Sequence, residues 1–244
     1  MKATVIIPAR YASTRLPGKP LLAETGKCLI RHVVESLQGA RRVERTVVAT
    51  DDERIAEAVG AFGGEAVMTR ADHRCGTDRI AEAAGILHLP DEAIVVNVQG
   101  DEPEIPPSCV DRLVELLTGC DAPMATLITP LSPEQAHDPN RVKCVTDRAG
   151  RALYFSRAPI PFDRDEAGGV AYKLHLGIYA YRTAFLKRFT QLAPTPAELA
   201  EKLEQLRALE HGHTIVTAEV AYDGAGIDTP ADYAAFVRRV RGGS

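Results

Sequence analysis

Short runs of β-branched and small apolar residues alternate, over the first half of the chain, with stretches whose apolar positions recur every three or four residues. The runs at 3–8, 45–50, 65–68 and 93–98 are rich in Val, Ile or Ala and short enough to be buried strands. The stretches between them at 28–39, 52–62 and 77–87 have the spacing of amphipathic helices. Strand and helix in rotation predict a parallel sheet whose crossovers are right-handed. The rotation then loosens. After a helix at 107–117 come strand-like runs at 123–129, 142–147, 151–156 and 172–181, most without a clear helix between them, which predicts an antiparallel extension or hairpin. Helices at 183–190 and 197–210, a strand at 214–220 and a closing helix from Pro230 to about Arg241 complete the pattern. Thr229 before that proline offers an N-cap hydroxyl, with proline at the first helical position. The expected fold class is α/β, a mostly parallel, doubly wound sheet with an antiparallel hairpin extension, in one domain spanning 1–244.

Composition adds exclusions more than assignments. The 244 residues are 45% hydrophobic and 25% charged, a balance that builds a core and argues against disorder. No apolar stretch reaches the roughly 18 residues of a membrane span, and no basic-then-apolar leader opens the sequence, so neither membrane insertion nor secretion is expected. Five cysteines (28, 75, 109, 120 and 144) are odd in number and lack CxxC spacing, which fits reduced thiols of a cytoplasmic protein. A formal net charge of −4 opposes nucleic-acid binding as the main activity. The RRVR run at 238–241 closes a predicted helix, where positive side chains complement the dipole.

The candidate chemistry lies at strand ends. Residues 5–22, VIIPARYASTRLPGKPLL, form an apolar run that breaks at Pro8 into a loop carrying Arg10, Ser13, Thr14, Arg15, Gly18 and Lys19. Such a loop stands at the carboxyl edge of an open α/β sheet, where ligands of these folds bind, and its cations suit a triphosphate. It is not a P-loop, because Lys19 is followed by Pro20, and it lacks the GxGxxG of a dinucleotide-binding oxidoreductase. A basic surface loop tied by salt bridges is the plainer alternative. The strand at 94–98 likewise ends in Gly100, Asp101 and Glu102, and a carboxylate there can hold Mg²⁺ against a phosphate. Asp228 in GIDTP is a candidate second ligand, or simply a helix-capping residue. Arg157 and Lys173 are candidates to join Arg10, Arg15 and Lys19 on one cleft.

IIPARYASTRLPGKPL resembles the opening motif of the sugar-acid cytidylyltransferases, most closely the 3-deoxy-D-manno-octulosonate (Kdo) cytidylyltransferase family. The resemblance continues in order through RADHRCGTDRIAE (70–82), VNVQGDEPEIP (96–106), ALYFSRAPIPFDRD (152–165), KLHLGIYAYR (173–182), LEQLRAL (203–209) and GIDTPADY (226–233), nearly the whole chain. It implies an enzyme that transfers CMP from CTP to the anomeric hydroxyl of Kdo, giving CMP-Kdo and pyrophosphate for lipopolysaccharide biosynthesis. It further implies that Arg10, Ser13, Arg15 and Lys19 bind the CTP phosphates, with Arg70, Cys75 and Gln99 near the base. The catalytic set would be Arg15, Lys19, Asp101 and Asp228, the two aspartates coordinating Mg²⁺. Arg157, His175, Tyr179, Glu204 and Gln205, beside Arg207, would take the sugar acid, with Arg157 facing its carboxylate. The family commonly has Ser where this chain has Cys75, Glu at Asp78 and Trp at Phe162. Relatives are homodimers, and the segment from about 142 to 182 is the expected contact surface. The rival readings are a cytidylyltransferase for 8-amino-Kdo or sialic acid, and a nucleotide-binding relative without catalysis.

Overall fold

A computed structural model describes residues 2–12, 16–165, 169–222 and 226–242, among which nine strands join in one sheet. Strands β1 (Ala3–Ala9), β2 (Val43–Thr50), β3 (Glu65–Met68) and β4 (Ile94–Asn97) run parallel, in the order β3-β2-β1-β4. Beyond β4, β5 (Met124–Leu131) and β9 (Ile215–Glu219) are reached through β8 (Tyr172–Arg182), which lies antiparallel to both β4 and β5. The antiparallel extension is the hairpin of β6 (Lys143–Thr146) and β7 (Ala152–Ser156), joined to β8 at Lys143 and Leu174.

Successive residues of β1 point into different cores. Val5 and Ile7 pack with α1 (Leu29–Ser36), α2 (Glu53–Ala61) and α4 (Pro107–Thr118), whereas Ile6 packs with α3 (Gly76–Ile86), α6 (Thr183–Phe189) and α8 (Gln205–Glu210). Burial on both faces is why the strand reads as a continuous apolar run. Each such side chain contributes about 1.5–3 kcal/mol. A third cluster, including Leu29, Ile227 and Phe236, fastens α9 (Pro230–Gly242) to the start of α1, so the end of the chain returns to its beginning. α5 (Pro133–Ala136) is a single turn after β5. The RRVR segment closes α9 as expected, with Arg239 Nε 3.1 Å from Glu104 Oε1 and Arg241 bonded to the Glu24 carbonyl.

Two expectations change. β1 continues through Pro8 to Ala9 because both residues still pair with β2, and Pro8 interrupts none of that register. The helix expected at 197–210 is two, α7 (Pro196–Glu201) and α8, separated by Lys202 in the left-handed region at φ 54°. Nine residues apart on an unbroken helix, Glu198 and Arg207 would face opposite sides, about 180° apart. The break lets them form a buried ion pair and turns Leu203 inward.

Candidate active site

The cleft, about 410 Å³, opens where β1 and β4 end, and four segments far apart in sequence meet in it. Gly18 adopts φ 65° beneath the Tyr11 ring, where a Cβ would lie 3.2 Å from the ring edge. The Tyr11 ring is stacked on its other contact by the Arg54 guanidinium, 3.5 Å from the centroid. This turn starts a 3-10 segment, Lys19–Leu21, and aims Lys19 into the cleft. After β4, Gly100 passes so close to β1 that a Cβ would stand 2.9 Å from the Pro8 carbonyl oxygen. The last of the four in sequence is tied on by its backbone, Ile227 N–H donating to the Asp101 carbonyl at 2.9 Å.

That backbone bond sets the two aspartates on one cation. Lys19 Nζ donates to Asp101 Oδ2 at 2.7 Å and to the Ile227 carbonyl at 2.8 Å, and lies 3.7 Å from Asp228 Oδ1. Thr229 and Asp232 cap α9 reciprocally, Asp232 N–H donating to Thr229 Oγ1 at 3.2 Å and Thr229 N–H to Asp232 Oδ2 at 2.8 Å. Hydrogen bonds from Thr229 hold the Asp232 carboxyl below its usual range. Glu102 is turned away, its Oε2 accepting from the Tyr222 hydroxyl at 2.8 Å. Two carboxylates meeting at one positive charge are a hard-oxygen donor set of the kind Mg²⁺ takes in company with phosphate oxygens, so the residues present fit that ion.

One wall of the cleft is the first turn of α3. Gly76 packs on Pro8, where a Cβ would lie 3.3 Å from the ring, and Cys75 is the N-cap, its sulfur accepting from Asp78 N–H at 3.5 Å. Burial, and then the charge of Glu204, push the Cys75 thiol up to about 12. Arg10 and Gln99 line the cleft as expected, and Gln99 Nε2 lies 3.5 Å from the Gly177 carbonyl. Arg70 does not line it. Its guanidinium sits in a neighbouring hollow, 3.5 Å from Glu82 and 3.7 Å from Asp72, because its backbone N–H is fastened to Glu82. Ser13 and Arg15 lie outside the described residues.

Across α3 the residues expected to take the sugar acid divide into two groups. The His175 and Tyr179 rings on β8 lie 5.4 Å apart, tilted by 44°, and the Thr126 hydroxyl, which donates to the Ile178 carbonyl at 2.8 Å, accepts from His175 Nε2 at 3.1 Å. Burial keeps His175 below its usual 6.5, so it is neutral at physiological pH. Burial, then the Glu204 carboxylate, raise the Tyr179 phenol well above its ordinary value. Gln205 is buried, and its Nε2 has no hydrogen-bond partner among the described residues. Arg157 departs from the expectation. Its Nε donates to the Glu201 carbonyl at 2.7 Å and its Nη1 to the Pro139 carbonyl at 2.8 Å, so the fork is committed to holding the turn before Glu204. Lys173 is also elsewhere, its Nζ 3.3 Å from Thr146 Oγ1, and Phe162 stands 81% exposed.

The cytidylyltransferase family profile matches residues 4–215. A 3-deoxy-manno-octulosonate cytidylyltransferase of Syntrophobacter fumaroxidans is 55% identical, over 97% of this chain and 96% of its own. One of Halorhodospira halophila is 51% identical, over 98% and 96%. This chain belongs to the 3-deoxy-manno-octulosonate cytidylyltransferase family. The solved structure of a CMP:2-keto-3-deoxy-manno-octonic acid synthetase complexed with CTP has a TM-score of 0.94 at 45% identity, over 99% of each chain. A 4-diphosphocytidyl-2C-methyl-D-erythritol synthase, at 14% identity and a TM-score of 0.66, shares the fold alone.

Within this family member the structure gives partners to residues that the sequence reading placed near the base only as part of the segment 70–77, or, for Arg79, did not single out. His73 and Arg79 line the cleft. His73 is bonded to Glu82, and Arg79 is buried between Thr69 Oγ1 at 2.6 Å and Asp51 Oδ1 at 3.2 Å. Thr77 donates to Glu204 across 127 positions. A long-range partner of this kind leaves no local signature. Only an arginine falling on a buried helical position, as Arg79 does, could have been noticed in advance.

Proposed function

We propose that this chain transfers the cytidylyl group of CTP to the anomeric hydroxyl of Kdo, forming CMP-Kdo and releasing pyrophosphate. One observation carries the reading: Asp101 and Asp228, 127 positions apart, are drawn to one cation at the edge of a cleft walled by the nucleotide-side segments. Relatives about half identical over the full length, named for this substrate, supply the acceptor.

The chemistry needs alignment and charge neutralisation, with no covalent enzyme intermediate. Gly100 and Gly76, packed on Pro8, fix the two walls that hold the nucleotide, and Arg10 and Lys19 bring positive charge to the mouth where pyrophosphate departs. Asp101 and Asp228 would hold Mg²⁺ with the phosphates, and the ion, when bound, neutralises phosphate charge and acidifies the attacking hydroxyl. His175 would meet the sugar as a neutral hydrogen-bonding group, and Glu204 and Gln205 would pair with its hydroxyls. Incubation with CTP and Kdo should give CMP-Kdo and pyrophosphate in equal amounts, followed by phosphorus NMR. No pyrophosphate with any sugar acid, under conditions where the chain binds CTP, would overturn the reading.

The same reading makes the protein cytoplasmic and a supplier of activated Kdo for lipopolysaccharide. It also makes it a homodimer. β7 pairs only with β6 within the named strands, and Leu153, Tyr154 and Phe162 are exposed on and beside it, an apolar edge suited to a second copy. Light scattering should return twice the 26.4 kDa chain mass, and a monomer at micromolar concentration would contradict it.

A further inference from the structure

Glu204 is held from the nucleotide side. Thr77 Oγ1 donates to its Oε2 at 2.7 Å and Cys75 Sγ to its Oε1 at 3.2 Å. Both donors belong to the first turn of α3, the turn whose Gly76 rests on Pro8 and whose Cys75 lines the cleft. Arg207, 3.8 Å from Glu204 Oε1, is engaged by Glu198. Thr77 is only 4% exposed, so water does not compete for its hydroxyl. Its position near the helix start leaves no carbonyl one turn back to bond, and helix capping falls to Cys75.

A carboxylate offers about four acceptor sites, and the two donors from α3 occupy one on each oxygen. We propose that Thr77, assisted by the weaker Cys75 donor, is a positioning residue that fixes the Glu204 carboxylate so that its remaining lone pairs accept hydroxyls of the sugar acid. The inference rests on the assignment of Glu204 to the acceptor side. It makes one rigid turn serve both substrates: the nucleotide lies against one side of the α3 start, and the other side aims the group that reads the acceptor.

Steady-state kinetics with CTP, Kdo and Mg²⁺ on Thr77→Val, Thr77→Ser, Cys75→Ala and Glu204→Gln test it. Losing a hydrogen bond to a charged group should raise the KM for Kdo ~10-fold or more in Thr77→Val. The KM for CTP should stay within about twofold in that variant, and Thr77→Ser should restore the Kdo value. Cys75→Ala should raise the KM for Kdo as well, by less, because a thiol is the weaker donor. If Glu204→Gln raises the KM for Kdo but Thr77→Val and Cys75→Ala do not, the positioning role is wrong and the acceptor assignment stands. If Glu204→Gln leaves the KM for Kdo unchanged, the acceptor assignment itself falls. Equal losses for both substrates, unrescued by serine, would mark Thr77 as structural only. Should valine prevent folding, Thr77→Ala takes its place with the same outcomes.

Discussion

Replacing either carboxylate of the Asp101, Lys19 and Asp228 group leaves the ammonium its bond to the Ile227 carbonyl and one remaining acid. Asp101 is 29% and Asp228 52% exposed, a setting in which an ion pair adds about 0–1 kcal/mol. Asp101→Asn and Asp228→Asn should therefore melt close to the parent while turnover falls by ~10²-fold or more, the loss expected when a group that stabilises transition-state charge is removed. Near-normal turnover in either variant would take that residue out of the site. Cys75 gives a second prediction. With its thiol raised to about 12, almost no thiolate exists at pH 8, so alkylation should be slow with or without saturating CTP. Fast labelling that CTP blocks, the behaviour expected of a reactive cysteine against the base, would contradict the hydrogen bond to Glu204. These residues were legible as types and in order from the sequence. What it could not reveal is that Cys75 faces Glu204, or that the Arg157 fork is bonded to carbonyls, since the partners lie 129 positions from Cys75 and 44 and 18 from Arg157.

The decisive departure among the elements is the break between α7 and α8. Apolar spacing over 197–210 satisfies a single helix, and periodicity alone has no means of registering a buried pair that a straight helix would hold on opposite sides. Burial disfavours the charged form of Glu198, but the hydrogen bonds from Arg207 outweigh it and hold the carboxyl below its usual 4.5. Removing one partner strands the other's charge, so Glu198→Gln should cost about 3–5 kcal/mol. A carboxyl depressed in the folded state stabilises above its unfolded value and loses that contribution as pH falls through the folded one. The gap in melting temperature between parent and Glu198→Gln should thus be full at pH 7 and shrink as the pH drops below 4.5. A constant gap down to pH 3 would mean the pair contributes by packing alone. Arg157→Ala should also lower the melting temperature, because Nε and Nη1 pin the end of α7 and the Pro139 turn, and an effect on Kdo kinetics with no thermal change would reinstate it as a ligand of the carboxylate.

Over the whole molecule, the alternation of runs and amphipathic stretches was enough to expect the parallel half of the sheet and the hairpin, because strands buried on both faces and helices buried on one carry different periods. Strand order was not readable: the insertion of β8 between β4 and β5 is a matter of long-range pairing. That insertion sets Tyr179 opposite Asn97 of β4, with His175 packed against it, and Glu204, at the start of α8, meets the start of α3. This arrangement is expected to select a Kdo acid and a cytidine nucleotide together. That selection is tested most directly by kcat/KM for Kdo with CTP, set against N-acetylneuraminic acid with CTP and sugar 1-phosphates with UTP or GTP. A site whose polar groups are stranded by the wrong acceptor can discriminate by ~10⁴-fold, and a preference for Kdo of that order is expected. Sialic acid matching Kdo would contradict the acceptor assignment, and a sugar phosphate surpassing it would contradict the account as a whole.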